Sequence, residues 1–413
     1  MHAPATGRAP WSLRVLFLGT GAWVAAVAPF VVVMLRTRGL DTVTIGVLSG
    51  GSALVATLVV PAWGHLADVL VGRALAFRIG LALAICAAIV LVLPVPLPAF
   101  ALTLALFSVL PILFLSLADA LAVDGLPAPE RQYGALRALM SLAFAVGVIV
   151  AGIVYDAAGY AAVPWIALAW SIGLLVLLGW VPDRTRDPAV RAIAGREGGE
   201  SAAGRFGSVS RVLAVQPRFL AVLAVFTLAY TGLQGSMVFL PIRIVELGGQ
   251  PSDVALTYGI ASFAEVPGLV LVGWLGRRIG IRWLVVLAFV AYGLCVASWG
   301  VLPTPIAINV TRLITGVCFG LLAGARVLIV ARLLPEPLQA TGQAMGQAAT
   351  SALGSAFGGL VAGVVYGGFG AVAFFGFAGV LSIAGGLGAW LVLHGRVGAP
   401  VRVAERPVRP ALD

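Results

Sequence analysis

The sequence predicts an all-α membrane protein of twelve transmembrane helices, arranged as two six-helix pseudo-symmetric bundles with both termini cytoplasmic. Three observations carry that reading. Of 413 residues, 61% are hydrophobic and only 10% charged, with a mean hydropathy of +1.07, against about 25% charged in soluble domains. Apolar runs of about 20 residues, enough to cross a hydrocarbon core of roughly 30 Å, recur along the whole chain. The arginines are distributed unequally between alternate loops.

The runs cover approximately 13–35, 43–63, 74–94, 98–120, 134–155, 161–181, 218–241, 254–275, 282–302, 305–328, 340–365 and 369–393. Arg8 and Arg14 precede the first, which contains Ala26-Val27-Ala28 and so has some features of a cleaved leader. Pro29 would be a poor start to a mature chain and the run continues past it, so we read an uncleaved first helix. None of the runs alternates in the strand pattern that a barrel requires. Since unpaired backbone groups are too costly in lipid, helices are what remains.

With the N-terminus placed in the cytoplasm, the inside segments collect most of the arginines, among them Arg73, Arg78, Arg131, Arg211, Arg277, Arg278, Arg282 and Arg332. The opposite loops hold Arg36, Arg38 and Arg243. This is the positive-inside pattern, and it also accounts for the net charge of +10 without nucleic acid as a partner. All 26 basic residues are arginine, a compositional bias from which no mechanism follows. Cys86, Cys295 and Cys318 are dispersed in apolar runs and have neither metal nor disulfide spacing. No nucleophile and base, metal cluster or phosphate-cradling loop stands at usable spacing, which argues against an enzyme and against any cofactor.

The polar stretch PDRTRDPAVRAIAGREGGESAAGRFGSVSR divides the runs six and six. It predicts a bundle over 1–181, a cytoplasmic linker over 182–211 with a short amphipathic helix, a second bundle over 212–395 and a cytoplasmic tail over 396–413. An internal repeat supports two equivalent halves. After run 2 stands GHLADVLVGRALAFR, with Gly64, Asp68, Gly72, Arg73 and Arg78; after run 8 stands GWLGRRIGIR, with Gly273, Arg277, Arg278, Gly280 and Arg282. Each is a glycine-bearing helix end followed by a tight basic loop.

On these two loops and the twelve-run plan, the chain resembles the major facilitator superfamily of transporters. The first loop is similar to that superfamily's signature between helices 2 and 3, with one extra residue between Asp68 and Gly72 and the arginine pair stretched to Arg73 and Arg78. Asp68 can pair with a loop arginine or cap a neighbouring helix, and either contact would stabilise one state of a rocking two-bundle machine. The alternative is that these residues only fix topology.

Charges inside the bilayer are costly, at least about 2.5–3.5 kcal/mol on insertion scales, and mark candidate sites. Four stand out: Asp119 late in run 4, Arg137 early in run 5, Glu265 near the middle of run 8 and Arg312 in run 10. Arg326, late in run 10, is placed to snorkel. Glu265 lies roughly 16 Å into its helix, and Arg312 roughly 10 Å into its own. A contact between them would reduce the insertion cost of both. Asp119 and Arg137 lie on consecutive antiparallel helices, where either an ion pair or a shared ligand is natural geometry.

A closer resemblance is to the lactose permease-type oligosaccharide and nucleoside proton symporters. Asp119, the run Tyr133-Gly134-Ala135-Leu136-Arg137 and Phe144 stand where that branch has its sugar-binding acid, arginine and aromatic residue. The resemblance implies a hydroxylated solute: an arginine fork donates to hydroxyls, a carboxylate accepts from them and a ring stacks on the apolar face. Arg137 and Phe144, seven apart, share a helix face. In the second half Glu265 falls near the branch's helix 8 glutamate, Arg312 near a basic residue, and Gln234 near an aspartate. The branch's helix 10 histidine and proton-carrying glutamate would fall near Thr315 and Cys318, so proton coupling, if retained, rests on Glu265. The AEVPG context also resembles sugar efflux proteins.

The glycines complete the reading. Gly316, Gly320 and Gly324 in run 10, and Gly342 with Gly346, Gly354 with Gly358 and Gly359 with Gly363 in run 11, are spaced for close helix contact. Pro29, Pro61, Pro111, Pro241 and Pro267 could kink their helices. The expected protein is a monomeric secondary transporter of the inner membrane whose partners are a small solute, protons in a coupled cycle, and lipid. Aromatic acids or drugs are the alternative cargo, and a transport-inactive assembly or sensor protein is the alternative function.

Overall fold

The computed structural model describes residues 10–181, 183 and 202–395. Arg8, most of the expected linker and the expected tail lie outside the described residues. Every regular element among the described residues is a helix. Six precede the linker: α1 (Trp11–Thr37), α2 (Thr42–His65, continued by a π-helical turn over Leu66–Val71), α3 (Arg73–Val92), α4 (Leu97–Gly125), α5 (Pro129–Ala158) and α6 (Val163–Leu177). A short helix, Ala202–Val215, leads to α7 (Pro217–Glu246), α8 (Pro251–Arg278), α9 (Gly280–Ser298) and α10 (Pro305–Leu333).

The rest of the chain runs as helix over Glu336–Gln347, a π-helical stretch over Ala348–Leu353 and helix over Gly354–Val392. A straight rod of these 57 residues would reach about 85 Å, nearly three hydrocarbon thicknesses. Gly370, at φ 79° and ψ 177°, divides it. We therefore count α11 to residue 369 and α12 over 371–392, twelve passages in which the last two share a one-residue corner. The sequence predicts this break at 366–368, a few residues early.

Local chemistry sets the helix starts. Proline occupies the first or second position of α4 through α8, α10 and α11, where its fixed φ suits a helix and its missing N–H costs nothing. Asp41 caps α2 by accepting from the Thr44 hydroxyl at 2.6 Å and the Thr44 N–H at 2.9 Å. Those bonds hold its carboxyl below the ordinary aspartate value, so the charged cap persists as pH falls through the usual aspartate range and is lost only in stronger acid.

Within the first six helices, α1 packs on α4, α5 and α6, α3 on α4 and α6, and α2 on α4. Within the last six, α7 packs along α11 and α12, α8 on α10, and α9 on α10 and α12. The two sets meet through α2 on α11 and α5 on α8, with α1 touching α7 and α8. Small residues make these crossings. A Cβ on Gly46 would stand 2.5 Å from the Gly359 carbonyl oxygen, and one on Gly50 would stand 2.5 Å from that of Ala356. Gly152 faces Ala255 and Gly259 faces Ile149.

All of these positions fall in the halves of their helices nearest the α1–α2 turn. The two sets are therefore shut against each other at that face. Asp156, near the end of α5, adds a polar link there by accepting from the Ser252 N–H at 2.9 Å, one of the free donors in the first turn of α8.

Two outcomes follow from this packing. Replacing Asp156 with alanine removes a cap worth about 1 kcal/mol, so the ratio of closed to open conformers at this face should fall about fivefold. Distances between spin labels on α5 and α8 read the change. Gly320→Val would drive its Cβ into the Glu265 carbonyl on α8 and should destabilise by about 1–3 kcal/mol. Gly51→Ala, which meets nothing within 4 Å, should leave thermal unfolding in detergent unchanged.

Candidate functional site

Between α1, α4, α5 and α8 lies a cavity of about 280 Å³, lined by Gly21, Val24, Leu115, Arg137, Met140, Ser141, Phe144, Ser262, Glu265, Val266 and Leu269. It falls just below the range of about 300–1,000 Å³ usual for ligand pockets, which suits a small solute. Three of the residues singled out from the sequence, Arg137, Phe144 and Glu265, face it together.

The walls are placed by the glycine crossings. Gly21 lets α1 approach α5 so closely that a Cβ there would stand 2.5 Å from the Met140 carbonyl oxygen. On the other side Gly316 and Gly320 of α10 lie against Ala261 and Glu265 of α8, and Gly268 lies against Val317. The backbone carrying Glu265 is thus backed by a neighbouring helix at close range. Its side chain points to the cavity.

Arg137 lies about 12 Å into α5. Its Nη1 donates to both carboxylate oxygens of Asp119, at 3.1 and 3.3 Å, and approaches the Met140 sulfur at 3.5 Å. Tyr133, one turn earlier, lies with its hydroxyl against the same carboxylate. The Arg137 side chain keeps 45% exposure and Asp119 33%, so the pair is wet, with the Nε and Nη2 edge of the guanidinium open. Glu265 has no ion pair among the described residues; the Arg137 charge acts on it across the cavity.

Other candidates lie elsewhere. Arg312 is 5% exposed and does not reach Glu265. It donates to the Thr257 carbonyl at 2.9 Å and the Thr315 hydroxyl at 3.0 Å, and its guanidinium sits 5.5 Å from the centre of the Trp299 ring. Backbone, hydroxyl and π-face thus meet its needs, which removes the reason for an acidic partner. Gln234 is absent from the cavity lining and donates to the Ser355 hydroxyl at 3.1 Å, joining α7 to α11.

Ser141 and Ser262 line the cavity and were not among the sequence candidates. Their signal was available: Ser141 stands four residues after Arg137, and Ser262 three before Glu265, each on the same helix face as its charged neighbour.

At the opposite face from the α1–α2 turn, Arg73 joins three helices. Its Nε donates to Asp68 at 2.6 Å, and its Nη1 to Asp124 at 2.6 Å and to the Ala120 carbonyl at 3.2 Å. Asp124 was not anticipated. Gly72, at φ 91° and ψ 148°, makes the corner that turns Arg73 back onto these acids, and a side chain there would be strained. Gly64 lies inside α2 with nothing within 4 Å of a Cβ. In the second half Gly280 has the matching positive φ of 84°, whereas Arg278 stacks on Trp274 at 5.2 Å. Neither Arg277 nor Arg278 forms an ion pair with a described residue.

Comparison with known proteins follows this geometry. Residues 10–377 match the model of the MFS_1 like family. Among curated proteins none matches. A crystal structure of the nucleoside transporter NupG superposes with a TM-score of 0.73 at 17% identity, covering 93% of this chain and 99% of that one. The peptide transporter POT in complex with sulfate gives 0.68 at 15% identity, covering 94% and 95%. A POT family transporter in complex with 5-aminolevulinic acid gives 0.68 at 14%, covering 93% and 96%. At these identities the likeness is one of fold. With the family match running over nearly its whole length, the chain belongs to the MFS_1 like family and is a multi-pass membrane transporter of the major facilitator fold, not an enzyme.

Proposed function

We propose that this protein is a secondary transporter that moves a small hydroxylated solute across the inner membrane by alternating access. The observation that carries the reading is the convergence of Arg137, Phe144 and Glu265, from α5 and α8, on one cavity with the hydroxyls of Ser141 and Ser262. Two six-helix bundles, residues 1–181 and 212–395, rock about this cavity, joined by a cytoplasmic linker over 182–211 and followed by a cytoplasmic tail over 396–413. Both termini are cytoplasmic, so the shut α1–α2 face looks outward and the described conformation is inward-facing. The protein works as a monomer.

Roles follow from the contacts. Arg137 offers its open edge to solute hydroxyls while Asp119 holds the other edge, and Phe144 supplies an apolar wall. Glu265, the cavity carboxylate without an ion pair among the described residues, is the group available to a proton in a coupled cycle. A transport-inactive sensor would instead have its intramembrane charges mutually neutralised; Glu265 does not fit that pattern.

The Arg73 junction serves the cycle differently. Asp68, Arg73 and Asp124 tie the ends of α2, α3 and α4 within one bundle, so that these helices move as a unit. Gly72 turns the first of the two corners, and Gly64, Arg277 and Arg278, in the last turns of α2 and α8, flank them.

Uptake into proteoliposomes tests the site. Arg137→Gln removes charge-assisted hydrogen bonds worth about 1.5–3 kcal/mol, so the solute concentration for half-maximal transport should rise about ten- to hundredfold, with Asp119→Asn giving a smaller rise. If the parent protein moves no solute from a panel of sugars, nucleosides, aromatic acids and drugs, the transport reading fails. At the junction, Asp124→Asn loosens a partly buried ion pair worth about 1 kcal/mol. It should lower the maximal rate severalfold with half-saturation unchanged; a change in half-saturation alone would place Asp124 in binding instead.

A further inference from the structure

The cavity's charges do not balance. Arg137 is already matched by Asp119, which holds its Nη1 through both carboxylate oxygens. Glu265 then stands on the opposite wall, without an ion pair or side-chain hydrogen bond among the described residues. The basic groups on α10, the helix packed against α8 at this point, are spent elsewhere. Arg312 is buried against Thr257, Thr315 and the Trp299 ring. Arg326 points to the Gln343 carbonyl and the apolar pocket around Phe219 and Phe226. The remaining cavity side chains are apolar or hydroxyl-bearing. With all three groups ionised, the site carries one net negative charge.

Resting on the transport reading above, we propose that the solute is an organic cation: a compound with a protonated nitrogen on a compact frame that also bears hydroxyl or other acceptor groups. The nitrogen lies against the Glu265 carboxylate, with Ser262 one helical turn away as a second acceptor. The acceptor end lies against the open Nε and Nη2 edge of Arg137, with Ser141 beside it. Phe144 and Val266 border the carbon frame, and the Phe144 ring adds attraction for a cation near its face. Such a solute brings the ionised site to neutrality. A neutral sugar offers the Glu265 carboxylate no counter-charge and leaves that task to a bound proton, since an unpaired charge in a low-dielectric cavity is expensive. A carboxylate adds a second negative charge, and Arg137, already shared with Asp119, cannot offset both.

The geometry also explains why Glu265 cannot be withdrawn from the site. Gly320 and Gly268 hold the α8 backbone at this point against α10, so close that a Cβ on Gly320 would overlap the Glu265 carbonyl. A rotation that turned Glu265 toward lipid would break that crossing.

The test uses purified full-length protein in detergent and solutes matched as amine and neutral partner: glucosamine with glucose and N-acetylglucosamine, ethanolamine with ethylene glycol, and 4-amino-1-butanol with 1,4-butanediol. Affinities are read by thermal shift and calorimetry near neutral pH. At least one amine should bind about tenfold or more tightly than its neutral partner, as expected for a charge-assisted contact. Glu265→Gln should abolish that preference while the protein keeps its melting temperature. Glu265→Asp, shorter but still charged, should retain part of it. Equal affinity within every pair, binding of neutral members without any amine, or an amine preference that survives Glu265→Gln would each overturn the proposal. If neutral sugars bind at least as tightly as their amine partners and Arg137→Gln weakens them, the transport reading stands while the cation reading falls. If no solute binds at all, both fall.

Discussion

Lipid tails are as apolar as leucine, so helices in a bilayer gain little by trading lipid for protein contact. They hold together where backbones approach closely enough for dispersion and dipole contacts to exceed what lipid offers. That constraint governs this molecule. Gly46 and Gly50 against Gly359 and Gly363, Gly152 against Ala255, Gly21 against Met140, and Gly316 and Gly320 against Ala261 and Glu265 are the points where it is met. Two of these crossings shut one face between the helix sets. The other two set the walls of the cavity. The same small residues therefore determine both what is closed and what is open.

Against this packing the charges separate into two kinds. Arg73 with Asp68 and Asp124, and Arg312 with Thr257, Thr315 and Trp299, are engaged by partners on their own and neighbouring helices. They join helices within one set, α2 with α3 and α4, and α8 with α10. Arg137 and Glu265 keep capacity in hand and look into the same space from different helix sets. A group bound by both would connect α5 to α8 beyond the crossing at Gly152 and Gly259, where the helices give way to the cavity.

Much of this was legible in the sequence because lipid imposes long, recognisable apolar runs and makes every buried charge conspicuous. Arg137 and Glu265 stood out for that reason, as did the repeat whose glycines, Gly72 and Gly280, adopt matching positive φ values. What sequence did not disclose was pairing. Arg312 invited an acid and found a ring and two threonines, since neither a π-face nor a backbone carbonyl is marked in a sequence as a partner. Gln234 lies at a depth suited to binding but its amide bonds Ser355, and depth alone carries no information on facing. Asp124 was passed over because it reads as a helix end until Arg73, 51 residues away in the chain, is folded onto it. The α11–α12 corner was placed early because a single glycine makes the turn, where composition leads one to expect a loop.

That corner has a mechanical meaning. Several neighbouring helices are joined by three or more residues, whereas α11 and α12, like α2 and α3 at Gly72, share a single glycine, Gly370. The pair behaves as a jointed strut with no slack: α12 can pivot about its end but cannot slide along α11. Since α11 is the helix that Gly359 and Gly363 press against α2, any parting of the two helix sets at that face draws on this joint directly. In the proposed cycle, the relative motion of α11 and α12 would be confined to an angle at that one residue, a swing instead of a shear.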